Sequence, residues 1–432
     1  MKPAARIQAA IEVLDDIQIR HRAASLALSE WGKTHRFAGS GDRSAIGNLV
    51  FDALRKRRSI AWRFGADTSR ALALGAAKAA LGLSAEAIIA GCDGSPHVPP
   101  PLDEAEQAAL QDVSKIPLAG PTAADVPDWL WPSMAAVFGD NAVSEGQALA
   151  MRAPVDLRVN TLKATREEVI AVLAAHGPEP TVFAPHGLRI AAPEGARRQA
   201  NVETEAAHGR GWFEVQDEGS QVAALMTAVR PGERVLDLCA GAGGKSLAMA
   251  AAMRNEGRIV AYDDEKRRLR PIFERITRAG ASIVEVLDGG DRAALARLGT
   301  FDAVLVDAPC SGTGTWRRRP DTKWRLKPTS IEERRRQQRE VLATAARLVR
   351  RGGRLIYVTC SLLAEENTAQ VTEFLSGPGG GYSLVPWRDA WTAGVETPAP
   401  ASSADNRDNT LLLSPARHGT DGFFIAYLKR AD

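Results

Sequence analysis

The chain has 432 residues, of which 45% are hydrophobic and 25% are charged, and its formal net charge is +3. This length allows two or three domains with a sizeable core, and the composition is ordinary for a soluble globular protein. The apolar stretches are interrupted by charge and the N-terminus lacks the apolar segment of a signal peptide, so we expect neither a membrane span nor secretion.

The four cysteines and seven histidines predict no metal site and no disulfide framework. They include no Cys-x-x-Cys pair and no His-Glu-x-x-His motif. We therefore expect a reduced cytoplasmic protein without a bound metal. The small net charge does not by itself indicate a nucleic-acid partner, because the local distribution of charge decides binding.

Residues 1–94 are predicted to form an all-helical domain. Four apolar residues recur at spacings of three and four, as on one face of a helix, namely Ile7, Ile11, Leu14 and Ile17. After a turn at 41–44, further helices are expected at 46–55, 68–81 and 84–89. The proline-rich stretch that follows opens a linker, which we assign to residues 95–125.

The rest of the chain is predicted to contain an α+β subdomain at 126–210 and an α/β core at 211–432. In the core, strands and helices alternate, which predicts a mostly parallel, Rossmann-like sheet with helices on both faces. Its strands are expected at 234–238, 258–262, 282–287, 301–306 and 354–358, and its helices at 245–252, 265–279 and 331–349.

A glycine-rich loop follows the first strand of the core. Its residues are Cys239, Ala240, Gly241, Ala242, Gly243, Gly244 and Lys245. Small residues let the backbone approach a ligand, and the next helix offers unpaired N–H groups. The spacing is not that of a Walker A motif. Asp263 and Asp288 follow the next two strands, where carboxylates can accept from ribose hydroxyls and an adenine amino group. Together these residues indicate an adenosyl ligand, either a dinucleotide or S-adenosylmethionine.

Two later strands end in short cysteine motifs. The first runs from Asp307 through Cys310 to Gly312 and reads Asp-Ala-Pro-Cys-Ser-Gly, and the second reads Thr359-Cys360-Ser361. Ligands of open α/β sheets bind at the carboxyl ends of the strands, so two thiols there favour covalent chemistry. A lone cysteine at such a place is more often a small buried residue. A thiolate that adds to C6 of a pyrimidine activates C5 to attack a methyl group, after which a base must remove the C5 proton.

These motifs resemble those of the NOL1/NOP2/Sun family of RNA cytosine-5 methyltransferases, most closely the bacterial 16S ribosomal RNA methyltransferases of the Sun/Fmu (RsmB-like) type. The resemblance covers roughly residues 125–430. The matching stretches are 157–163, 215–218, 239–245, 307–314, 359–361, 365–367 and 421–424. The helical N-terminus resembles, more weakly, the NusB-like RNA-binding domain of that type. The glycine loop departs from the family pattern CAAPGGK, because Gly241 and Ala242 replace Ala-Pro.

The resemblance implies a role for each site residue. Cys360 matches the nucleophile that attacks C6, and Cys310 matches the cysteine that releases the methylated product. Asp307 and Lys245 match residues that face the target base, with Asp307 also near the cofactor. The glycine loop, Asp263, Asp288 and Asp307 then bind S-adenosylmethionine. The implied partner is RNA, above all 16S ribosomal RNA, and we expect a monomer.

The segment after Cys310 is basic and contains tryptophans. Residues 316–340 hold ten Lys or Arg against four Asp or Glu. Basic side chains neutralise phosphates and aromatic rings stack on bases, so we expect RNA contacts here. The residues expected to make them are Arg317, Arg318, Arg319, Lys323, Trp324 and Arg325. The alternative is a solvated helix face with packed tryptophans.

Three other functions fit part of the sequence. A methyltransferase for a small molecule or a protein would leave the second cysteine and the basic segment without a purpose. A ribosome-assembly factor that binds RNA with little turnover would not need both cysteines. A tRNA cytosine-5 methyltransferase is the third alternative.

Overall fold

A computed structural model describes residues 1–111 and 117–432 of the chain. Two compact units are present. The first contains Met1–Ala153, Ala192–Gln199 and Thr315–Leu326, and the second contains Pro154–Ala191, Ala200–Gly314 and Lys327–Asp432. The expected linker includes residues 112–116, which lie outside the described residues, and the domain boundaries expected from the sequence stay predictions. Within the described residues, no helix has the length and the apolar content that crossing a membrane requires.

The first unit is helical, and its N-terminal helix follows the apolar spacing of the sequence. Ile7, Leu14 and Ile17 are all buried in the core of this unit. The helices up to residue 149 are α1 (Pro3–Arg20), α2 (Ala24–Thr34), α3 (Ser40–Arg55), α4 (Arg57–Phe64), α5 (Ser69–Leu81), α6 (Ala85–Gly91), α7 (Glu104–Leu110), α8 (Gly120–Ala123), α9 (Trp131–Phe138) and α10 (Ala142–Leu149).

The turn expected at 41–44 is wrong, because these residues form the first turn of α3. The carboxylate of Asp42 lies in that first turn, where the helix dipole favours a negative charge. It also accepts hydrogen bonds from the N-terminal ammonium of Met1 at 3.1 Å and from the guanidinium of Arg6 at 2.9 Å. The polar residues that suggested a turn therefore begin a helix.

The second unit contains two sheets. Their strands are β1 (Val155–Val159), β2 (Glu179–Pro180), β3 (Gly187–Ile190), β4 (Phe213–Val215), β5 (Arg234–Asp237), β6 (Arg258–Ala261), β7 (Val284–Val286), β8 (Phe301–Asp307), β9 (Val349–Thr359), β10 (Tyr382–Val385), β11 (Leu411–Leu413) and β12 (Phe423–Arg430). The smaller sheet has the order β2-β3-β1-β4 and is antiparallel. The larger has the order β10-β12-β9-β8-β5-β6-β7, with β11 paired to β12.

The larger sheet is parallel from β9 to β7, as the alternation of strands and helices predicts. The antiparallel strands β10, β11 and β12 extend it at one side. The helices after residue 165 are α11 (Arg166–Val172), α12 (Ala206–Gly209), α13 (Glu218–Leu225), α14 (Gly244–Ala252), α15 (Lys266–Leu269), α16 (Ile272–Ala279), α17 (Arg292–Arg297), α18 (Pro320–Arg325), α19 (Pro328–Leu348), α20 (Thr368–Leu375), α21 (Trp387–Gly394) and α22 (Pro415–His418).

One expected helix is divided in two. The sequence pattern predicts a continuous helix over 265–279, whereas the structure has α15 and α16, which are separated by Arg270 and Pro271. Proline has no backbone N–H and clashes with the preceding turn, so a helix usually ends before it and a new one can begin after it.

Candidate active site

The two cysteine motifs meet at one edge of the parallel sheet. Strands β8 and β9 pair in parallel, with Asp307 opposite Val358, so the loops that follow them leave the sheet side by side. The sulfur atoms of Cys310 and Cys360 lie 3.5 Å apart. The convergence expected from the strand ends is therefore present in the structure.

The environment of Cys310 favours the protonated thiol. Its pKa is raised well above the usual range of a cysteine. The hydrogen bond to Cys360 is the first cause, followed by burial and by the negative charges nearby, among them those of Glu366 and Asp307. The two thiols are in hydrogen-bond contact, in which either sulfur can be the donor.

Lys245 and Asp307 form a close ion pair beside the thiols. The Nζ atom of Lys245 lies 2.6 Å from Oδ2 of Asp307. Burial acts to lower the pKa of Lys245, but the charge and hydrogen bond of Asp307, with a further contribution from Asp237, raise it overall. Lys245 is therefore a buried ammonium group. Its Nζ atom also lies 5.2 Å from the ring centroid of Phe423, in the stretch 421–424 that the resemblance singled out.

The glycine loop turns sharply into α14. Gly243 is the N-cap of that helix and has a φ of 81°. A Cβ atom there would lie 2.4 Å from the side chain of Ile272, so glycine is required for space as well as for the backbone angle. The N–H of Gly241 donates to Oδ2 of Asp263 at 3.1 Å, so the loop is tied to the end of the neighbouring strand β6.

Two neighbouring cavities lie at this edge of the sheet. One, of about 680 Å³, is lined by Asp263, Pro309 and residues of α17 and α19. The other, of about 240 Å³, is lined by the glycine loop, Lys245 and Asp307. Cys239 and Arg268 line both. A nucleoside with an attached amino-acid chain suits such a pair of cavities, since the larger is bordered by the strand-end carboxylate of Asp263 and the smaller by the ion pair of Lys245 and Asp307.

Asp237 is a site residue that the sequence reasoning missed. It ends β5, is fully buried, and lines the smaller cavity. Its Oδ2 accepts from the hydroxyl of Ser246 at 2.6 Å, but its Oδ1 has no hydrogen-bond partner among the described residues. Burial raises the pKa of Asp237 to about 7. This orphaned acceptor fits a ligand that carries donors, such as the ammonium group of S-adenosylmethionine. The signal was available, because Asp237 is a carboxylate at a strand end, like Asp263.

Asp288 lies apart from the other predicted cofactor residues. Its side chain is 66% exposed, and its carboxylate pairs with Nζ of Lys266 at 2.7 Å. It lines neither cavity. Asp263, in contrast, is buried and borders the larger cavity. The adenine contact of Asp288 therefore stays a prediction that this placement does not support.

The structure contradicts the expected RNA contacts of three residues in the basic segment. Arg317, Lys323 and Trp324 pack within the first unit instead of facing a substrate. The Nζ atom of Lys323 donates to the carbonyl of Arg55 at 3.1 Å and lies 4.9 Å from the ring centroid of Trp324. Burial lowers the pKa of Lys323 to about 8.

Hydrogen bonds of Trp324 and Arg55 also show that this segment packs within the first unit. The indole N–H of Trp324 donates to the carbonyl of Leu54 at 2.6 Å, and the side chain of Arg55 donates to the carbonyl of buried Arg317 at 2.9 Å. These side chains fix α18 to α3. RNA contacts by Arg318, Arg319 and Arg325 stay predictions.

Comparisons with known proteins find two family models that match this chain. A family model described as 16S rRNA methyltransferase RsmB/F matches residues 224–429. A second model, described as an RsmF/B-like ferredoxin-like domain, matches residues 126–196.

Curated relatives are named as methyltransferases of the small-subunit ribosomal RNA. A probable ribosomal RNA small subunit methyltransferase B from Synechocystis sp. is 34% identical over 318 residues, which are 71% of this chain and 67% of that protein. Ribosomal RNA small subunit methyltransferase B from Sodalis glossinidius is 36% identical over 256 residues, 58% of this chain and 57% of that protein. The matched part thus spans 67% and 57% of these two relatives.

Solved structures have the same fold. The crystal structure of PH0851 superposes with a TM-score of 0.72 at 28% identity and covers all of this chain and 99% of that chain. NSun6 from Pyrococcus horikoshii, solved with SFG, gives a TM-score of 0.61 at 23% identity over 71% of this chain and 99% of that chain, a likeness of fold alone. The Rossmann-like α/β class with a helical N-terminal region, expected from the sequence, is confirmed.

Proposed function

The chain belongs to the RsmB/F family of 16S rRNA methyltransferases, and on that premise we propose that it transfers a methyl group from S-adenosylmethionine to C5 of a cytosine in RNA, with 16S ribosomal RNA as the favoured substrate. The observation that carries the proposal is the pair of sulfur atoms 3.5 Å apart beside the ion pair of Lys245 and Asp307. Transfer to most other acceptors needs one positioned nucleophile or base, whereas C5 of cytosine needs a thiol that adds and a group that completes release.

The proposed reaction begins at Cys360. Once its thiol proton has passed to solvent, its sulfur bonds to C6, and the electrons of the C5–C6 double bond make C5 nucleophilic. The cofactor supplies an electrophilic methyl group on a sulfonium sulfur. C5 would bond to that methyl group, and the cofactor, held by the glycine loop and Asp263, would keep the electrons of the broken carbon–sulfur bond as a neutral sulfide. A base then takes the C5 proton, the double bond re-forms, and the Cys360 sulfur leaves as a thiolate.

Three other side chains are assigned roles in the proposed reaction. Cys310 is the base, after it has lost its own proton to solvent, and its raised pKa makes its thiolate a strong base. The ammonium of Lys245 holds the carboxylate of Asp307 and places positive charge beside the target base. Asp307, which pairs with Lys245, is assigned the hydrogen bonds from the target base.

A basic surface of the second unit lies next to the smaller cavity. Arg268 and Arg275 line that cavity, and the outer side of the stretch 266–279 carries Arg267 on α15, Phe273 on α16 and Arg270 between the two helices. Both outer arginines are exposed, with no carboxylate partner among the described residues. Phe273 is 59% exposed, although a phenylalanine is usually buried. We include this outer face in the proposal as the path of the RNA strand beside the target base.

We predict that a double variant with Arg267→Ala and Arg270→Ala binds RNA more weakly and with a flatter dependence on salt. For single-stranded RNA, removing one arginine–phosphate ion pair should reduce the slope of log K against log salt by about 0.7. Filter binding over a salt series measures this slope. The matched control changes Arg351 and Lys429, which are also exposed and lie at the opposite end of β9 and β12, and should leave the slope unchanged. Equal slopes for both double variants would remove this face from the RNA path.

The methylated product can be identified directly. The full chain is incubated with S-adenosylmethionine carrying a deuterated methyl group and with unmodified 16S ribosomal RNA or tRNA transcripts, and the RNA is then digested to nucleosides for mass spectrometry. We expect labelled 5-methylcytidine from the ribosomal transcript. Label confined to tRNA would support the tRNA alternative. No label in any RNA would favour the assembly factor, and label in another nucleoside would overturn the proposal.

A further inference from the structure

Each of the two cysteines is followed by a serine, and the two Cys-Ser dipeptides lie side by side. The sulfur atoms of Cys310 and Cys360 are 3.5 Å apart, and the hydroxyl oxygens of Ser311 and Ser361 are 3.3 Å apart. The loops after β8 and β9 therefore touch through both residues of each dipeptide. The contact between the sulfurs depends on how the backbones of these two loops are held together.

One buried carboxylate binds both serines. Oε2 of Glu366 accepts from the hydroxyl of Ser361 at 2.5 Å and also from the hydroxyl of Ser311. Oε1 accepts from the backbone N–H of Ser311 at 2.8 Å and from the side-chain amide of Gln338 at 3.2 Å. Glu366 is completely buried. A buried carboxyl group is costly unless it is hydrogen-bonded, and here four donors surround it.

The next residue holds the second loop on both sides of Cys360. The side-chain oxygen of Asn367 accepts from the hydroxyl of Thr359 at 2.5 Å, and its amide donates to the carbonyl of Ser361 at 2.8 Å. Asn367 makes no hydrogen bond to the Cys310 loop in the described contacts, whereas Glu366 binds both loops. Of this adjacent pair, Glu366 is the residue that connects the two cysteines.

We propose that Glu366 is a positioning residue that holds the two sulfur atoms in contact by binding the residue after each cysteine. The inference rests on the proposed function, because a fixed sulfur–sulfur distance lets Cys310 act on an adduct formed at Cys360. Burial raises the pKa of Glu366, and the donors from Ser311, Ser361 and Gln338 oppose that rise. The geometry does not depend on the charge, since a protonated carboxyl group can donate its one O–H to one serine hydroxyl while the other hydroxyl still donates to a carboxyl oxygen.

The test uses disulfide formation as a measure of the distance between the sulfurs, independent of methyl transfer. Diamide, an azo compound, oxidises the two thiols. An S–S bond forms, and the nitrogen–nitrogen double bond takes up both hydrogens. Peptide mapping follows the Cys310–Cys360 disulfide in the full chain. We expect rapid formation in the wild type, at least tenfold slower formation in Glu366→Ala, and a rate within about twofold of wild type in Glu366→Gln, which keeps both polar atoms in place.

Glu373→Ala is the matched control, since Glu373 is half-exposed on α20 and should not affect the rate. If Glu366→Ala does not fold, the double variant Ser311→Ala and Ser361→Ala removes both hydroxyl contacts and should give the same slowing. A wild-type rate in folded Glu366→Ala, or an equal slowing in Glu366→Gln and Glu366→Ala, would overturn the inference. A wild-type chain that forms the disulfide but methylates no RNA would contradict the proposed function and leave this inference standing.

Discussion

Replacing Cys360 with alanine is expected to abolish methyl transfer to RNA while S-adenosylmethionine still binds. Without the sulfur, no bond forms at C6 and C5 stays a poor nucleophile. Loss of a covalent nucleophile costs roughly 10⁴-fold or more in kcat, because the remaining groups only bind and orient the reactants. Methyl transfer to the ribosomal transcript measures the loss, and calorimetry with the cofactor measures binding.

The matched control for this variant is Cys92→Ala. Cys92 is buried in the core of the first unit, and its replacement makes a cavity of one sulfur atom, with a stability cost on the order of 1 kcal/mol. Methyl transfer by Cys92→Ala should equal that of the wild type at a temperature where both are folded. Undiminished transfer by Cys360→Ala would remove Cys360 from the chemistry.

Replacing Cys310 with alanine is expected to stop the reaction at a different point. Cys360 can still add to C6 and C5 can still take the methyl group, but the C5 proton then has no base beside it. The protein should remain bonded to RNA, with turnover near a single event per chain. A denaturing gel should show a slower band that requires both RNA and cofactor.

Two variants control for this trapped complex. The double variant Cys310→Ala and Cys360→Ala should give no slower band, since the attacking sulfur is absent. Lys245→Ala should give little of the band, because Lys245 lies beside both Asp307 and the thiols and supports the addition step. Steady multiple turnover by Cys310→Ala would assign release to another group.

The meeting of the two cysteine motifs could be predicted from the sequence because it follows from parallel strand pairing. Alternation of strands and helices implies a parallel sheet, and the carboxyl ends of its neighbouring strands share an edge. Asp307 and Cys360 follow adjacent strands and are therefore brought together. Lys245 comes to the same place because the glycine loop leads from β5 directly into α14.

The basic segment could not be interpreted from its composition. Its charges and tryptophans suit an RNA surface, but Lys323 and Trp324 bind the carbonyls of Arg55 and Leu54, almost 270 residues earlier. A lysine can bury its long stem and satisfy its ammonium group with a carbonyl, and a tryptophan can do the same with its N–H. Local sequence does not indicate such distant partners.

Glu366 is hidden from sequence reasoning for a related reason. It lies six residues after Cys360, within a stretch that the family resemblance includes, yet nothing in that stretch indicates a contact with Ser311. That contact exists because β8 and β9 are adjacent and their loops cross at the two serines. The sequence therefore predicted that Cys310 and Cys360 meet at the strand ends. The contacts of Glu366 with both loops became visible only in the structure.

The division of labour between the cysteines is tested most directly by mapping the bond in the trapped complex. The Cys310→Ala complex is digested with nuclease and protease, and the peptide that carries a nucleotide is sequenced by mass spectrometry. We predict a methylated cytidine nucleotide on Cys360 alone. A nucleotide on any other residue, or methylated RNA released without a trapped complex, would contradict the assignment of attack to Cys360 and release to Cys310.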